Sequence, residues 1–447
     1  MASVTHPSFT LVFSNLQKNT SSSPSGYLYT APSRDLKKIH RCLSISCKKD
    51  DKNLSSSTTT TTTITANNKT DQVRIMFTAG GTGGHIYPAV AIADDLKVIN
   101  PNIQILFVGN HKGMESIAVP STGYDFVSIP CFPIARPILF SPTNLLFPYR
   151  LITSMVKSWK VLKTFDPQII VGTGGYVSAP ICLTAALFRR GLNKLVIQEQ
   201  NSVPGLANWL LSFFADFIFV AFPSSVKYFP NKSRCIISGN PIRLSLRKYM
   251  SKAVARMHFF PRAAKTWDLE SRIVLILGGS LGANAINIAV LNMYSRMLSE
   301  HKNRFIIWQT GVDSFNEMES LVKNHPRLVL TPFMHKMDLA YAAADLVISR
   351  AGAVTCSEIM ATGKPSILIP SPYVAEGHQM KNAFIMEDIA GSKVITEDEL
   401  DSTTLGIAIE EILGDEKQMA DMCEKALKSG CPEASAEIAQ HILSLIN

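Results

Sequence analysis

The sequence predicts an α/β protein made of two doubly wound units, each a parallel sheet covered by helices on both faces. Three observations predict this. From Val73 onward, short apolar runs recur without polar alternation, as strands buried on both faces require. Helical stretches separate those runs. Glycine-centred turns follow several of them, where a doubly wound sheet places its ligand loops.

Residues 1–70 stand apart. Ser and Thr dominate, ending in the hydroxyl tract Ser55 to Thr63, and up to Lys49 seven Lys or Arg face one acid, Asp35. No secretory apolar segment is present. This composition predicts an organelle transit peptide, with Ser/Thr richness favouring a plastid, and the fold is expected to start near Gln72. A disordered tail is the alternative reading.

The first unit spans 71–243. Its candidate strands are Ile75 to Phe77, Ile103 to Val108, Ile169 to Val171, Leu195 to Ile197, Phe217 to Val220 and Ile236-Ile237, with a helix from Pro88 to Leu96. Pro167 to Phe188 carries no charge and is long enough to raise a membrane span. Gly172, Gly174, Gly175 and Pro180 interrupt it, so it reads as strand, glycine turn and helix. Residues 244–270, basic and Pro-containing, read as a linker. The second unit spans 271–447, with candidate strands at Ile273 to Leu277, Phe305 to Trp308, Leu328 to Leu330, Leu346 to Ile348, Ser366 to Ile369 and Lys393 to Ile395. A last helix covers about Ala434 to Leu445 and could pack on either unit.

A chain of 447 residues that is 46% hydrophobic has room for two or three domains with sizeable cores. The net charge of +9 suggests an acidic partner, but much of the excess lies in the leader. No arginine-rich stripe with interleaved aromatics occurs, which argues against nucleic acid. The eight cysteines are scattered without a C-x-x-C pair, so a zinc site is not expected and they read as thiols in a reducing compartment.

The chemistry is expected at the glycine turns. Gly80-Gly81-Thr82-Gly83-Gly84-His85 follows the first strand. It is neither a dinucleotide fingerprint, since Ile86 stands where a third glycine is needed, nor a Walker loop. Its glycines permit close backbone approach to a ligand, and His85 adds an imidazole, a group type able to take or give a proton. Further turns are Gly172 to Gly175, Gly278 to Gly282 and Ala351-Gly352-Ala353. The last opens a helix through Val354, Thr355, Cys356, Ser357 and Glu358, whose small residues suit a diphosphate on exposed N–H groups. Gln198-Glu199-Gln200-Asn201 is a polar cluster at another strand end, and Arg243 is placed to meet phosphate. Read singly, Glu358 could merely offset the helix dipole and Arg243 could be a surface residue.

Taken in order, the Gly80–His85 loop, Gly174-Gly175-Tyr176-Val177-Ser178, Glu199-Gln200-Asn201, Gly239-Asn240-Pro241-Ile242-Arg243, Gly278-Gly279-Ser280, Ser357-Glu358 and His378-Gln379 resemble the MurG family of peptidoglycan glycosyltransferases. The resemblance covers about Val73 to Leu445. It implies a GT-B fold with two facing Rossmann-like domains and an interdomain cleft. It also implies inverting transfer of N-acetylglucosamine from UDP-GlcNAc to the C4 hydroxyl of a muramoyl-pentapeptide on a diphosphate-linked polyprenol (lipid I). By residue match, Thr82, Gly83, Gly84 and Tyr176 would line the donor and acceptor cleft. Asn201, Arg243 and Ser280 would contact the donor, and Met334 would sit by the uracil. Ala353 to Glu358 would hold diphosphate, ribose and sugar, with Gln379 on the sugar hydroxyls. His85 is the candidate base, with Glu199 as rival or helper. No D-x-D metal motif is found, and no cofactor is expected. Two departures stand out: Leu281 replaces a Gln common in the bacterial loop, and Gln198 replaces a His. The leader has no bacterial counterpart, which points to a plastid-targeted plant or algal form.

Between Asp125 and Asp166 there is no acid, while Leu145, Leu146, Phe147 and Trp159 lie among Arg136, Arg150, Lys157, Lys160 and Lys163. Apolar groups flanked by cations suit an anionic membrane surface, which a lipid-linked acceptor requires. A helix pair packed on the sheet is the alternative. The expected location is the stromal side of the inner envelope or thylakoid membrane, as a peripheral protein. Two rival functions remain open at this level: a plastid galactolipid synthase using UDP-Gal and diacylglycerol, and a non-catalytic sugar-nucleotide-binding relative acting in plastid division.

Overall fold

The computed structural model describes residues 72–134, 141–188, 193–263, 270–374 and 377–446, all in one compact unit. The leader, Arg136, Ile138, Leu139 and Phe140 of the acid-free span, and 264–269 of the linker lie outside the described residues.

Two wholly parallel sheets organise the chain. The first comprises β1 (Arg74–Thr78), β2 (Gln104–Asn110), β3 (Asp125–Ile129), β4 (Ile169–Gly172), β5 (Lys194–Glu199), β6 (Phe217–Val220) and β7 (Cys235–Ile237), in the order 3-2-1-4-5-6-7. Its helices are α1 (Gly83–Ile99), α2 (Glu115–Ser121), α3 (Phe147–Phe165), α4 (Ser178–Leu187) and α5 (Leu206–Leu211). The crossing segment carries α6 (Leu244–Arg247) and α7 (Lys252–Phe259). The second sheet comprises β8 (Arg272–Leu277), β9 (Arg304–Gln309), β10 (Leu328–Thr331), β11 (Leu346–Ser349), β12 (Ser366–Leu368) and β13 (Lys393–Val394), in the order 10-9-8-11-12-13. Its helices are α8 (Asn284–Glu300), α9 (Phe315–Leu321), α10 (Met337–Ala343), α11 (Ala353–Thr362), α12 (His378–Ala390), α13 (Ser402–Gly414) and α14 (Glu416–Ser429), and α15 (Ala434–Ser444) ends the chain.

Strand pleating explains the unbroken apolar runs. In β1, Ile75 and Phe77 face a core that includes Ile86 and Ile92 of α1, while Met76 faces Ile181 of α4 and Leu211 of α5. Both faces are covered, so neither can be polar. The same holds in the second sheet, where Val274 and Ile276 face α8 and Ile273 and Leu275 face α10.

Three expectations need correction. α1 begins at Gly83, not Pro88, so His85 lies in its first turn; Pro88 removes one intrahelical bond without stopping the helix. β3 was not among the expected strands, because an edge strand with mostly exposed or half-exposed residues lacks the buried apolar signature. The domain boundary also differs. α15, assigned with the second domain, buries Ile438, Ala439 and Ile442 beside Ile75 and Phe77 in the first lobe's core. Its apolar stripe packs in the core that α1 also covers, with His441 edge-on to Phe217 and Phe219 of β6.

The lobes are joined by direct bonds. Ser202 Oγ donates to Asn382 Oδ1 at 3.0 Å. Asn240 Nδ2 donates to the Ala353 carbonyl at 3.3 Å and to Ser357 Oγ at 3.1 Å. Arg247 pairs with Asp95 of α1 and, at 3.0 Å, with Glu433 ahead of α15.

Candidate active site

The glycine turns come together because both sheets present the carboxyl ends of their strands to the gap between the lobes, where open α/β sheets take ligands. His85 follows β1, Gly174-Gly175-Tyr176 follow β4, and Glu199 ends β5. Across the gap Ser280 follows β8, Met334 follows β10, and α11 follows β11.

His85 is held by one ring nitrogen. Nδ1 lies 3.1 Å from the Thr173 carbonyl and 2.9 Å from Gln200 Oε1. A carbonyl only accepts, so Nδ1 is placed to donate, which in the neutral ring leaves the lone pair on Nε2. The approach depends on two glycines with positive φ. A Cβ on Gly174 would stand 3.1 Å from Nδ1, and one on Gly175 would overlap the Gly80 carbonyl.

Glu199 is occupied differently. Oε1 accepts from the Asn201 N–H at 2.9 Å and its side-chain amide at 3.1 Å; Oε2 accepts from Gly205 N–H at 3.1 Å and Asn208 Nδ2 at 2.8 Å. Four donors on a buried carboxylate make it the anchor of the 201–208 loop. Both Glu199 oxygens are thereby taken up within that loop.

His85, Tyr176, Glu199, Asn201 and His378 line one end of a cavity of about 930 Å³. Apart from Ser154 and Asn208 the rest of its wall is mostly apolar, with Phe132, Phe147, Leu151, Leu206, Leu210, Phe213 and Phe214 among the lining residues. Phe147, also expected on the membrane face, is half-buried and lines this cavity. Leu145 and Leu146 are exposed, and Tyr149, Ile152, Val156 and Trp159 continue one exposed apolar stripe of α3 at helical spacing. Lys163 lies 5.2 Å over the Trp159 ring. Among the described residues, no helix is long and apolar enough to cross a membrane.

The opposite wall is polar. α11 starts at Gly352 with no side-chain cap, so the N–H groups of Ala353, Val354 and Thr355 have no intrahelical acceptor. Cys356 points into the core, and burial pushes its thiol up to about 12. Cys356 N–H donates to the Gly352 carbonyl, so this residue offers a ligand nothing, against expectation. Ser357 Oγ is buried between Asn240 and its own turn. Glu358 is buried as well. Burial raises its carboxyl, while Arg243 and the Tyr341 hydroxyl, which donates to Oε2 at 3.1 Å, hold it down. Glu358 Oε1 has no hydrogen-bond partner. The Arg243 guanidinium stacks on Tyr87 of α1, 4.2 Å from the ring centroid, and reaches toward Glu358.

Thr82 caps α1 through its backbone, and Gly83 and Gly84 form that helix's first turn. Ser280 is half-exposed on its glycine loop. Met334 is buried, its N–H donating to Gln309 Oε1 at 3.1 Å, while Gln309 Nε2 holds the Gly279 carbonyl at 2.7 Å. Gln379 Oε1 accepts from Ser371 N–H at 2.9 Å. Among the described residues no group of His, Cys, Asp or Glu is gathered to hold a metal.

Sequence reasoning missed several residues. Glu115 is fully buried and accepts from Gly81 N–H at 3.2 Å and Asn110 N–H at 2.9 Å, so it shapes the first glycine loop. Tyr87, Tyr341 and Gln309 were unmarked because nothing local distinguishes them. The α5 apolar residues did carry a signal: Leu206, Trp209, Leu210 and Phe213 recur at helical spacing.

Comparison with known proteins agrees with this layout. The N-terminal domain of glycosyltransferase family 28 matches residues 75–220, and its C-terminal domain matches 273–439. A protein of Salinibacter ruber is 39% identical over 371 residues, covering 83% of this chain and 96% of its own length. One of Christiangramia forsetii is 40% identical over 375 residues, covering 84% and 98%. Both are named UDP-N-acetylglucosamine–N-acetylmuramyl-(pentapeptide) pyrophosphoryl-undecaprenol N-acetylglucosamine transferase. Among solved structures, Acinetobacter baumannii MurG superposes with a TM-score of 0.62 at 25% identity, over 83% of this chain and 99% of that one. Staphylococcus aureus MnaA, solved with UDP, gives 0.59 at 14% identity over 84% and 98%, a likeness of fold.

Proposed function

The chain belongs to glycosyltransferase family 28, among the N-acetylglucosaminyltransferases that form lipid II, and on that premise we propose how its cleft carries out the transfer. UDP-GlcNAc is the donor. The acceptor is the C4 hydroxyl of a muramoyl-pentapeptide on a diphosphate-linked polyprenol. His85 Nε2 removes the hydroxyl proton. The oxygen attacks the anomeric carbon from the side opposite the diphosphate, the bond to the diphosphate breaks, and UDP leaves with inversion.

One observation carries this reading: His85 presents a free Nε2 while both acceptors at Nδ1 are fixed by the protein. Charge developing on UDP falls to Arg243 and to the N–H groups opening α11. Glu358 Oε1, buried and unpartnered, suits a ribose or sugar hydroxyl. The apolar cavity running from His85 to α5 gives the lipid end of the acceptor a dry wall. The exposed stripe on α3, with Lys157, Lys160 and Lys163 beside it, supports peripheral docking on an anionic bilayer. The basic, hydroxyl-rich composition of residues 1–49 supports a plastid address and hence a stromal location.

The test is product formation. The protein is incubated with UDP-GlcNAc and a lipid I analogue, and in parallel with UDP-Gal and diacylglycerol. A lipid-linked disaccharide in the first reaction alone is expected; galactolipid in the second would overturn the reading.

A further inference from the structure

A run of buried amides links the two lobes behind His85. Gln200 Oε1 accepts from His85 Nδ1 at 2.9 Å. Gln200 Nε2 donates to Gln198 Oε1 and, at 2.7 Å, to the Thr173 carbonyl. Gln198 Nε2 donates to Asn240 Oδ1 at 3.2 Å. Asn240 Nδ2 donates to Ser357 Oγ at 3.1 Å, and Ser357 Oγ donates to the Ala353 carbonyl at 3.0 Å. Backbone carbonyls at Thr173, Gln200 and Ala353 fix which end of each amide is which. Every donor therefore points the same way, from the imidazole to the first turn of α11. Gln198, Gln200 and Asn240 are all nearly inaccessible to solvent.

We propose that Gln198 and Asn240 are positioning residues that, through Gln200, fix the second acceptor at His85 Nδ1 beside the Thr173 carbonyl and so orient the ring, and that this second hold is complete only while the second lobe is docked. The inference rests on His85 being the base. When Nε2 takes the acceptor's proton, the ring becomes cationic and finds two oxygens already aimed at Nδ1. The proton stays on His85; the relay transfers none. Aligned dipoles strengthen one another in a dry interior, so an uncharged chain does the orienting that a carboxylate does in a Ser-His-Asp triad. Its far end is the turn where the donor diphosphate is proposed to bind, so donor binding and readiness of the base share one connection. The titratable groups around this chain are Glu199, Tyr176 and His378 on the cavity wall, and Cys356 and Glu358 on α11. The Glu199 oxygens are turned to the 201–208 loop.

The test uses the whole protein with Gln198→Met and Gln198→His. The Met variant keeps the volume but breaks the chain. It is expected to lower kcat about tenfold, the scale of one lost hydrogen bond, with KM for UDP-GlcNAc nearly unchanged. A neutral imidazole at 198 can accept from Gln200 and donate to Asn240. The His variant should therefore match the parent at high pH and lose kcat below about pH 6.5, where both its nitrogens donate and Gln200 must turn. Nitrogen-15 NMR of His85 reads the hold without any turnover: Nδ1-protonated in the parent, and in Gln198→Met still held Nδ1-protonated by the Thr173 carbonyl but with a shifted, broadened Nδ1 resonance as Gln200 Oε1 loosens. If the parent shows that tautomer but makes no disaccharide, the functional reading fails and the relay stands. Unchanged kcat and an unchanged Nδ1 resonance in the Met variant would overturn the relay. If that variant does not fold, a pH profile of Gln198→His identical to the parent's overturns it.

Discussion

Arg243 Nε lies 3.7 Å from Glu358 Oε1, and neither atom has a hydrogen-bond partner. Arg243 enters from the first lobe's side, stacked on Tyr87, and Glu358 from the second. A half-buried guanidinium and a buried carboxylate, opposite in charge and incompletely satisfied, support the proposal that this part of the cleft takes a ligand supplying both an anion and hydroxyls.

Arg243→Ala should lower kcat/KM for UDP-GlcNAc about 10- to 100-fold, the range for a lost charge-assisted hydrogen bond. Arg243→Lys should recover little of this, because an ammonium cannot stack flat on Tyr87 or bond through a planar fork. Steady-state kinetics with varied donor check both. Full recovery by Lys would reduce Arg243 to a point charge.

Glu199→Ala should lower the thermal midpoint by several degrees together with activity, because four donors lose their acceptor at once. Paired thermal melts and turnover assays make the check. A loss of kcat with unchanged stability would instead identify Glu199 as the base.

Lys364 sets a pH dependence far from the cleft. Burial, and then Lys252, bring its ammonium down to about 8, although its Nζ donates to the Ala344 carbonyl at 2.9 Å. The folded value lies below the unfolded one. The group's contribution to stability is therefore fully present above the unfolded value of 10.5 and is lost as pH falls toward 8. Thermal melts at pH 8 and pH 10 should show the parent gaining on Lys364→Met at the higher pH. No difference between the two pH values would show the ammonium to be solvated.

Replacing Leu145, Tyr149 and Trp159 by Ser should lower affinity for anionic vesicles about 10²-fold, taking roughly 1 kcal/mol for each side chain half-inserted in lipid. Added salt should weaken the parent's binding through Lys157, Lys160 and Lys163. Co-sedimentation measures both. Unchanged binding would move the membrane face elsewhere.

The architecture was legible because both parallel sheets are covered on each side. Strands such as Phe217 to Val220 must then be apolar throughout, and only the edge strand β3 escaped. The glycine turns were legible as turns, and their order carried the family resemblance. Long-range partners were not legible. Nothing near Glu115 in the sequence says that it shapes a loop 34 positions away. Nothing near Gln198 says that it meets Asn240. The destination of α15 was equally hidden, since its apolar stripe would fit either lobe and only the packing beside α1 and β6 decides it.

The most direct test of the account compares the parent and His85→Ala at saturating UDP-GlcNAc and lipid I analogue, with donor affinity measured separately by calorimetry. The account predicts lipid-linked disaccharide from the parent, a loss of about 10²-fold or more in kcat for the variant, the scale of a lost general base, and nearly equal donor affinity. Equal turnover by the two proteins, or none by the parent, would contradict it.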